Sequence, residues 1–320
     1  MTVSGVHMAS EMQTTLAGEI ALSGVGVHGG IEASLTLKPA PADTGIVFIR
    51  TFADQAPRKM AVSRQSVQAT DLATVLGDKS GALVSTVEHV LSALSGLGVD
   101  NALVEVTGPE VPILDGSAGP VVAAIDEVGI AVLPARRKYL KVLKPIRVEN
   151  GASYGELLPY DAGFRLEVEI EFDHCGIGRQ RFAGNLTPNV FRRELAHART
   201  FGFLKDVERL RSAGYARGAS LENTVCLGDA GILNPEGLRF TDEFVRHKAL
   251  DAVGDLALAG LPLMARYRSF RGGHKLNFNV VDALLADRTA FAVVDAPVRG
   301  RREGAELAVG APVLAYAPER

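Results

Sequence analysis

Residues 85–108, STVEHVLSALSGLGVDNALVEVTG, change periodicity part-way through, and that change sets the fold class. Val87, Val90, Leu91 and Leu94 recur at helical spacing, and Gly96 and Gly98 end the pattern. NALVEVTG (101–108) then reads as a strand, PEVPILDGSAG (109–119) as a proline-rich turn, and a second helix is expected around 119–128. Upstream the chain is strands and turns: Leu35 and Leu37 alternate with Ser34 and Thr36, and SGVGVHGG (23–30) punctuates the run. A looser polar stretch (53–80) separates these strands from the helix. The unit is therefore strands first, then helix–strand–helix.

The same order recurs downstream. Strand-like alternation runs through 140–149, 153–159 and 164–172, the last with Leu166, Val168, Ile170 and Phe172 on one face. A long helix (241–259), a strand (263–270) and a helix (275–286) follow. The expected architecture is α+β, two similar domains, each a sheet covered on one face by two helices. The basic cluster Arg136, Arg137, Lys138 after Pro134 marks the boundary, giving domains 1–135 and 136–320. Segment 202–232 interrupts the second unit. Leu204, Val207 and Leu210 have helical spacing there, so it is either a surface excursion or a lid or ligand channel.

Composition narrows the function. At 320 residues the chain has room for about two domains, and 47% apolar with 22% charged residues is ordinary for a packed core. Net charge is 34 − 37 = −3, so no basic excess points to nucleic acid or an anionic membrane. No long apolar run supplies a spanning helix, and no Lys or Arg precedes Lys38, so neither a stable membrane anchor nor a secretory signal is expected. Cys175 and Cys226, without CxxC spacing, fit reduced, buried thiols in a cytoplasmic protein.

Three segments concentrate the chemistry. In DEFVRHKALDAVGDLALAG, His247, Asp251 and Asp255 fall at i, i+4 and i+8, one polar stripe on an otherwise apolar helix. A His and an Asp one turn apart can share a tetrahedral zinc. Glu88 and His89 are adjacent, so one could ligate a metal while the other faces a water. His274 follows two glycines in GGHKLN (272–277), where the backbone can approach a ligand and an imidazole can move protons. Each alone has a plain structural explanation: a salt bridge, a satisfied core histidine, a turn. Together they supply two His and one Asp as ligands, a Glu base, a His acid and an Asp to orient it. That set suffices for metal-assisted amide hydrolysis.

STVEHVLSALSGLGVDNALVEVTGPEVPILDGSA (85–118), ARTFGF (198–203), GLRFTDEFVRHKALDAVGDL (237–256) and GGHKLN resemble the bacterial UDP-3-O-acyl-N-acetylglucosamine deacetylase family. The resemblance runs in order from about residue 13 to about 318, leaving the first dozen residues as a flexible extension. It implies the zinc amidase of the committed step of lipid A synthesis, with paired α+β domains packed as a sandwich, the site between them and a small insert in each. The substrate would be UDP-3-O-[(3R)-3-hydroxyacyl]-N-acetylglucosamine, and one product acetate. By motif match His89, His247 and Asp251 ligate one Zn2+, with Fe2+ also compatible with that donor set. Glu88 is the implied base, and His274 the acid oriented by Asp255. Lys248 lies near substrate and metal, and Thr200 supports the oxyanion. Phe201 and Phe203 match contacts to sugar and uracil, Asp206 a uridine-side position, and Lys144 and Arg271 basic positions facing the nucleotide sugar. The insert 202–232 matches an acyl passage, while His28 and Asp115 are given structural roles at a turn or between domains. A monomer is expected. Two rivals remain: a zinc peptidase or free-sugar deacetylase, the former weakened by the lack of HExxH, and a non-catalytic nucleotide-sugar or lipid-binding module.

Overall fold

The computed structural model describes residues 11–296. Its first sheet is built from β1 (Ile20–Val25), β2 (Glu32–Pro39), β3 (Ile46–Arg50), β4 (Arg58–Ala61) and β5 (Ala102–Val106), in spatial order β1-β2-β5-β3-β4. The central strand β5 is antiparallel to β2 and parallel to β3, with Val104 opposite both Leu37 and Phe48. Helix α1 (Glu88–Leu97) leads into β5 and α2 (Gly119–Val128) follows it. Every residue of α1 except Ser95 is buried, which explains why its sequence is apolar nearly all round. It stops at Gly98, whose φ of 77° lets its N–H reach back to the carbonyls of Leu94 and Ser95.

The second sheet comprises β6 (Lys138–Val142), β7 (Ile146–Asn150), β8 (Ser153–Leu158), β9 (Phe164–Phe172), β10 (Gly178–Asn185), β11 (Leu263–Phe270) and β12 (Phe291–Asp295). Its central order is β7-β8-β11-β9-β10, with β11 antiparallel to β8 and parallel to β9. Strand β6 adds to β11 in parallel, and β12 pairs antiparallel with β6. Helix α3 (Glu243–Leu256) precedes β11 and α4 (His274–Ala286) follows. Both sheets thus place a central strand, flanked in sequence by two helices, between two hairpins. In β9 the alternation FRLEVEIEF buries Leu166, Val168 and Ile170 and leaves Glu167 and Glu169 to pair with Arg165 and Arg179 on the other face. Helices α1 and α3 pack against each other, and one contiguous apolar core includes side chains from both sheets and both helices.

Several expectations are corrected. The strand expected over 140–149 breaks between β6 and β7 at Leu143–Pro145, because Pro145 has no N–H to give to the ladder. The polar stretch 53–80 contains β4, and the short strands Val67–Ala69 and Val75–Gly77, which with Leu83–Val84 form a small sheet. Cys175 is exposed and Cys226 half-buried; both are free thiols, but neither is buried as expected. Segment 202–232 is ordered. Phe201–Phe203 and Val225–Gly228 pair in parallel, and a short helix, Val207–Ser212, lies between them. No helix among the described residues is long and apolar enough to cross a membrane. The proposed N-terminal extension and the end of the matched range beyond 296 lie outside the described residues, apart from Glu11 and Met12.

Candidate metal centre and active site

Glu243, His247, Asp251 and Asp255 lie at successive i+4 positions of α3, and all four are buried. Burying such a stripe is costly unless every group finds a partner. His247 Nδ1 donates to the Ala198 carbonyl at 3.0 Å, which leaves its Nε2 as a lone-pair donor, 3.3 Å from Asp251 Oδ1. His89, in the first turn of α1, brings its Nε2 to 3.7 Å from the same oxygen. The His89 and His247 rings meet edge to face at 5.0 Å between centroids. One donor atom from each of His89, His247 and Asp251 lies within 4.8 Å of the others.

Asp251 Oδ1 is buried and accepts no hydrogen bond among the described residues, while Oδ2 accepts from Lys248 Nζ at 2.8 Å. An orphaned carboxylate oxygen facing imidazole lone pairs is repulsive without a cation and favourable with one, and two His with one Asp is a donor set that zinc takes. The residues fit the metal. Burial, reinforced by the neighbouring His247, pushes His89 down to about 3, and burial also lowers His247, so both rings are neutral as ligation requires. Burial works against the Asp251 carboxylate, but His247 and Lys248 outweigh it and hold the group below its ordinary range.

Glu88 and His274 lie beside these donors, with Glu88 Oε1 3.8 Å and Asp251 Oδ2 4.0 Å from His274 Nε2. The Thr74 amide donates to Glu88 Oε2 at 3.0 Å, leaving Oε1 on the open side. Burial pushes Glu88 up to about 7. His274 Nδ1 donates to Asp255 Oδ2 at 2.9 Å; burial opposes its charged form, but Asp255 and Glu88 outweigh that and raise it to about 9. Asp255 is itself held by the Thr74 hydroxyl at 2.6 Å and the Asn277 amide at 2.8 Å, and Asn277 accepts from the Tyr267 hydroxyl.

A cavity of about 500 Å3 opens over these groups and continues between Phe201, Phe203, Leu204, Val207, Leu210 and Leu221. Its wall also carries Thr200, Lys248 and His28. Phe201 packs on Phe172 and Phe244, with Lys248 Nζ 5.6 Å from its ring centre. The turn bearing His28 is held by Glu110, which accepts from the amides of His28 and Gly29, and Asp115 pairs with Arg239 at 2.8 Å.

Three residues expected at the substrate are not in this cavity's wall. Lys144 pairs with Asp287 at 2.7 Å, just past the far end of α4, about 20 Å along the helix from His274. Arg271, in the left-handed region at φ 50°, pairs with Glu171 at 3.3 Å. Asp206 pairs with Arg209 at 3.0 Å. Each of the three is engaged by an ion pair with a near neighbour, which motif position alone does not reveal. Conversely, Thr74 and Asn277, the latter held by Tyr267, fix Glu88 and Asp255 and were not anticipated. Asn277 could have been found at i+3 from His274, but Thr74 carries no local signal.

The model of the family described as "LpxC: UDP-3-O-acyl N-acetylglycosamine deacetylase" matches residues 13–286. The chain belongs to this family. It is similar to the UDP-3-O-acyl-N-acetylglucosamine deacetylases of Brucella ovis and Brucella melitensis biotype 2. Each is 54% identical over 286 residues, which is 89% of this chain and 99% of the relative. The family match takes in all three segments that concentrate the ionisable groups, and the match to the relatives extends over nearly their whole length.

Proposed function

We propose that this chain hydrolyses the N-acetyl group of UDP-3-O-[(3R)-3-hydroxyacyl]-N-acetylglucosamine, releasing acetate, as the deacetylase of lipid A biosynthesis. Membership of the family makes it an amide hydrolase of this substrate class. The observation that carries the mechanism is that Glu88 and His274 lie 3.8 Å apart beside the His89, His247 and Asp251 donors, all five lining one largely apolar cavity. These three residues would hold zinc, which when bound would supply Lewis-acid polarisation of the acetamide carbonyl and a more acidic water. Fe2+ suits the same donors in the cell.

Glu88, its Oε2 fixed by Thr74, takes a proton from the attacking water through Oε1 as the new C–O bond forms. The Thr200 hydroxyl and the Lys248 ammonium line the wall where charge gathers on the carbonyl oxygen. His274, protonated and held through Nδ1 by Asp255, gives its Nε2 proton to the amine as the C–N bond breaks. Phe201 and Phe203 offer flat surfaces to the nucleotide sugar, and the insert receives the acyl chain. Residues 1–135 and 136–320 then act as two domains contributing opposite sides of one site, in a monomer located in the cytoplasm. The free thiols agree with a reducing compartment.

The test is incubation of zinc-loaded protein with the acylated UDP-N-acetylglucosamine, following acetate release and substrate mass, beside a chelated sample. Acetate from the loaded sample alone is expected. No acetate, or equal turnover of the sugar lacking its acyl chain, overturns the reading.

A further inference from the structure

Arg199 and Glu243 are the most deeply buried ion pair among the described residues, with side-chain exposures of 1% and 0%. The pair joins two segments. Glu243 sits in the first turn of α3, one turn before His247; Arg199 sits between Ala198, whose carbonyl orients His247, and Thr200. Glu243 Oε1 accepts from both the Arg199 amide and Arg199 Nε, each at 2.9 Å. Its Oε2 accepts from the Arg239 amide at 2.6 Å and Arg199 Nη2 at 3.3 Å. The remaining guanidinium donors go to Glu236 at 2.5 Å and the Gly237 carbonyl at 2.7 Å. Thr200, next in line, donates its amide to the Gly116 carbonyl of the first unit at 2.8 Å.

Of three consecutive residues, Ala198 and Arg199 are therefore pinned by α3 and Thr200 by the first unit. We propose that the Arg199–Glu243 pair is the positioning device of the metal centre, fixing Ala198 to orient His247 and Thr200 to face the reacting carbonyl. The inference rests on the deacetylase reading and assigns roles that the motif match does not. A fork of guanidinium donors suits it, because bonding the carboxylate through both backbone and side chain of one residue fixes that residue's rotation as well as its place. An apolar pair of equal volume could fill the space, but it could not set the direction of the Ala198 carbonyl. Groups that orient a ligating imidazole typically carry 10–100-fold in metal affinity. Neither Arg199 nor Glu243 lines the cavity, so both act through their neighbours.

The experiment measures zinc Kd by chelator competition, together with kcat and KM, for wild type, Glu243→Gln, Arg199→Lys and Asp242→Asn. The last breaks the Asp242–Arg246 pair at the start of α3, a partly exposed pair with no hydrogen bond to residues 198–200 among the described residues. Glu243→Gln is expected to raise zinc Kd about 10–100-fold and to lower kcat about tenfold or more with little change in KM. Asp242→Asn should leave zinc Kd within about twofold. Wild-type zinc Kd and kcat in folded Glu243→Gln would overturn the proposal. If that variant does not fold, Arg199→Lys decides by the same readouts, since it keeps the charge and loses the fork. A wild-type protein that holds no zinc would instead defeat the deacetylase reading and leave the pair a purely structural one.

Discussion

Gly254 of α3 lies against the backbone carbonyl of Glu88 in α1, so closely that a Cβ at 254 would stand 2.1 Å from that oxygen. This contact sets the spacing between the helix that brings Glu88 and His89 and the helix that brings His247, Asp251 and Asp255. Gly254→Ala must push α1 and α3 apart. The expected cost is about 1–3 kcal/mol of stability with at least a tenfold loss of kcat/KM. Denaturant unfolding and steady-state kinetics check it, and unchanged turnover would show that the site tolerates a wider spacing.

Rate should be bell-shaped in pH. Glu88 must be ionised and His274 protonated, so activity is lost below the pKa of Glu88 and above that of His274. Without a cation these stand at about 7 and about 9, and a bound cation moves the acid limb lower by favouring the carboxylate. Asp255 is the largest influence raising His274, so Asp255→Asn should bring the alkaline limb down by about one unit or more. A pH profile of kcat/KM in which that limb stays in place would remove His274 as the acid.

Zinc content should follow the donor set. His247→Ala and Asp251→Ala should each lose most bound metal, whereas Glu88→Ala should keep it and lose turnover by orders of magnitude. Because the ligands form one site only in the folded chain, zinc at a hundredfold excess over Kd should stabilise it by about 2.7 kcal/mol. Elemental analysis and melting with and without chelator test both points. Full zinc in both ligand variants would defeat the assignment.

Leu210 projects into the cavity from the short insert helix. Leu210→Phe should shorten the space available to an acyl chain, lowering kcat/KM about tenfold for long-chain substrate and little for short-chain. Equal effects on both would place the chain elsewhere.

Lys144 is expected to be dispensable. Its pairing with Asp287 and Thr289 keeps it at the far end of α4, so Lys144→Ala should leave kcat/KM within about twofold. A large rise in KM would show that it reaches the nucleotide.

The sequence was most legible where one physical pattern spans many residues. The alternation of 164–172 and the apolar spacing of 85–97 each have a single structural solution, and β9 and α1 take it. The i, i+4, i+8 stripe was legible for the same reason, since ionisable groups on an apolar helix need partners. Glu243 is the next position of that stripe, one turn earlier. It escaped notice because polar residues in a first turn usually cap. Thr74 escaped because it lies between two three-residue strands, too short for any period to show. The partners of Lys144 and Arg271, Asp287 and Glu171, were not legible because an exposed cation goes to the nearest carboxylate, and that neighbour is set by tertiary structure.

The recurrence of one strand order in both sheets has a consequence for how such a chain can change over time. The three candidate metal donors sit along the seam between α1 and α3, while the turns that join β3 to β4 and β7 to β8 contribute no residue to the cavity wall. Loops there can lengthen, shorten or drift in composition under their own selective pressures, and the seam need register none of it.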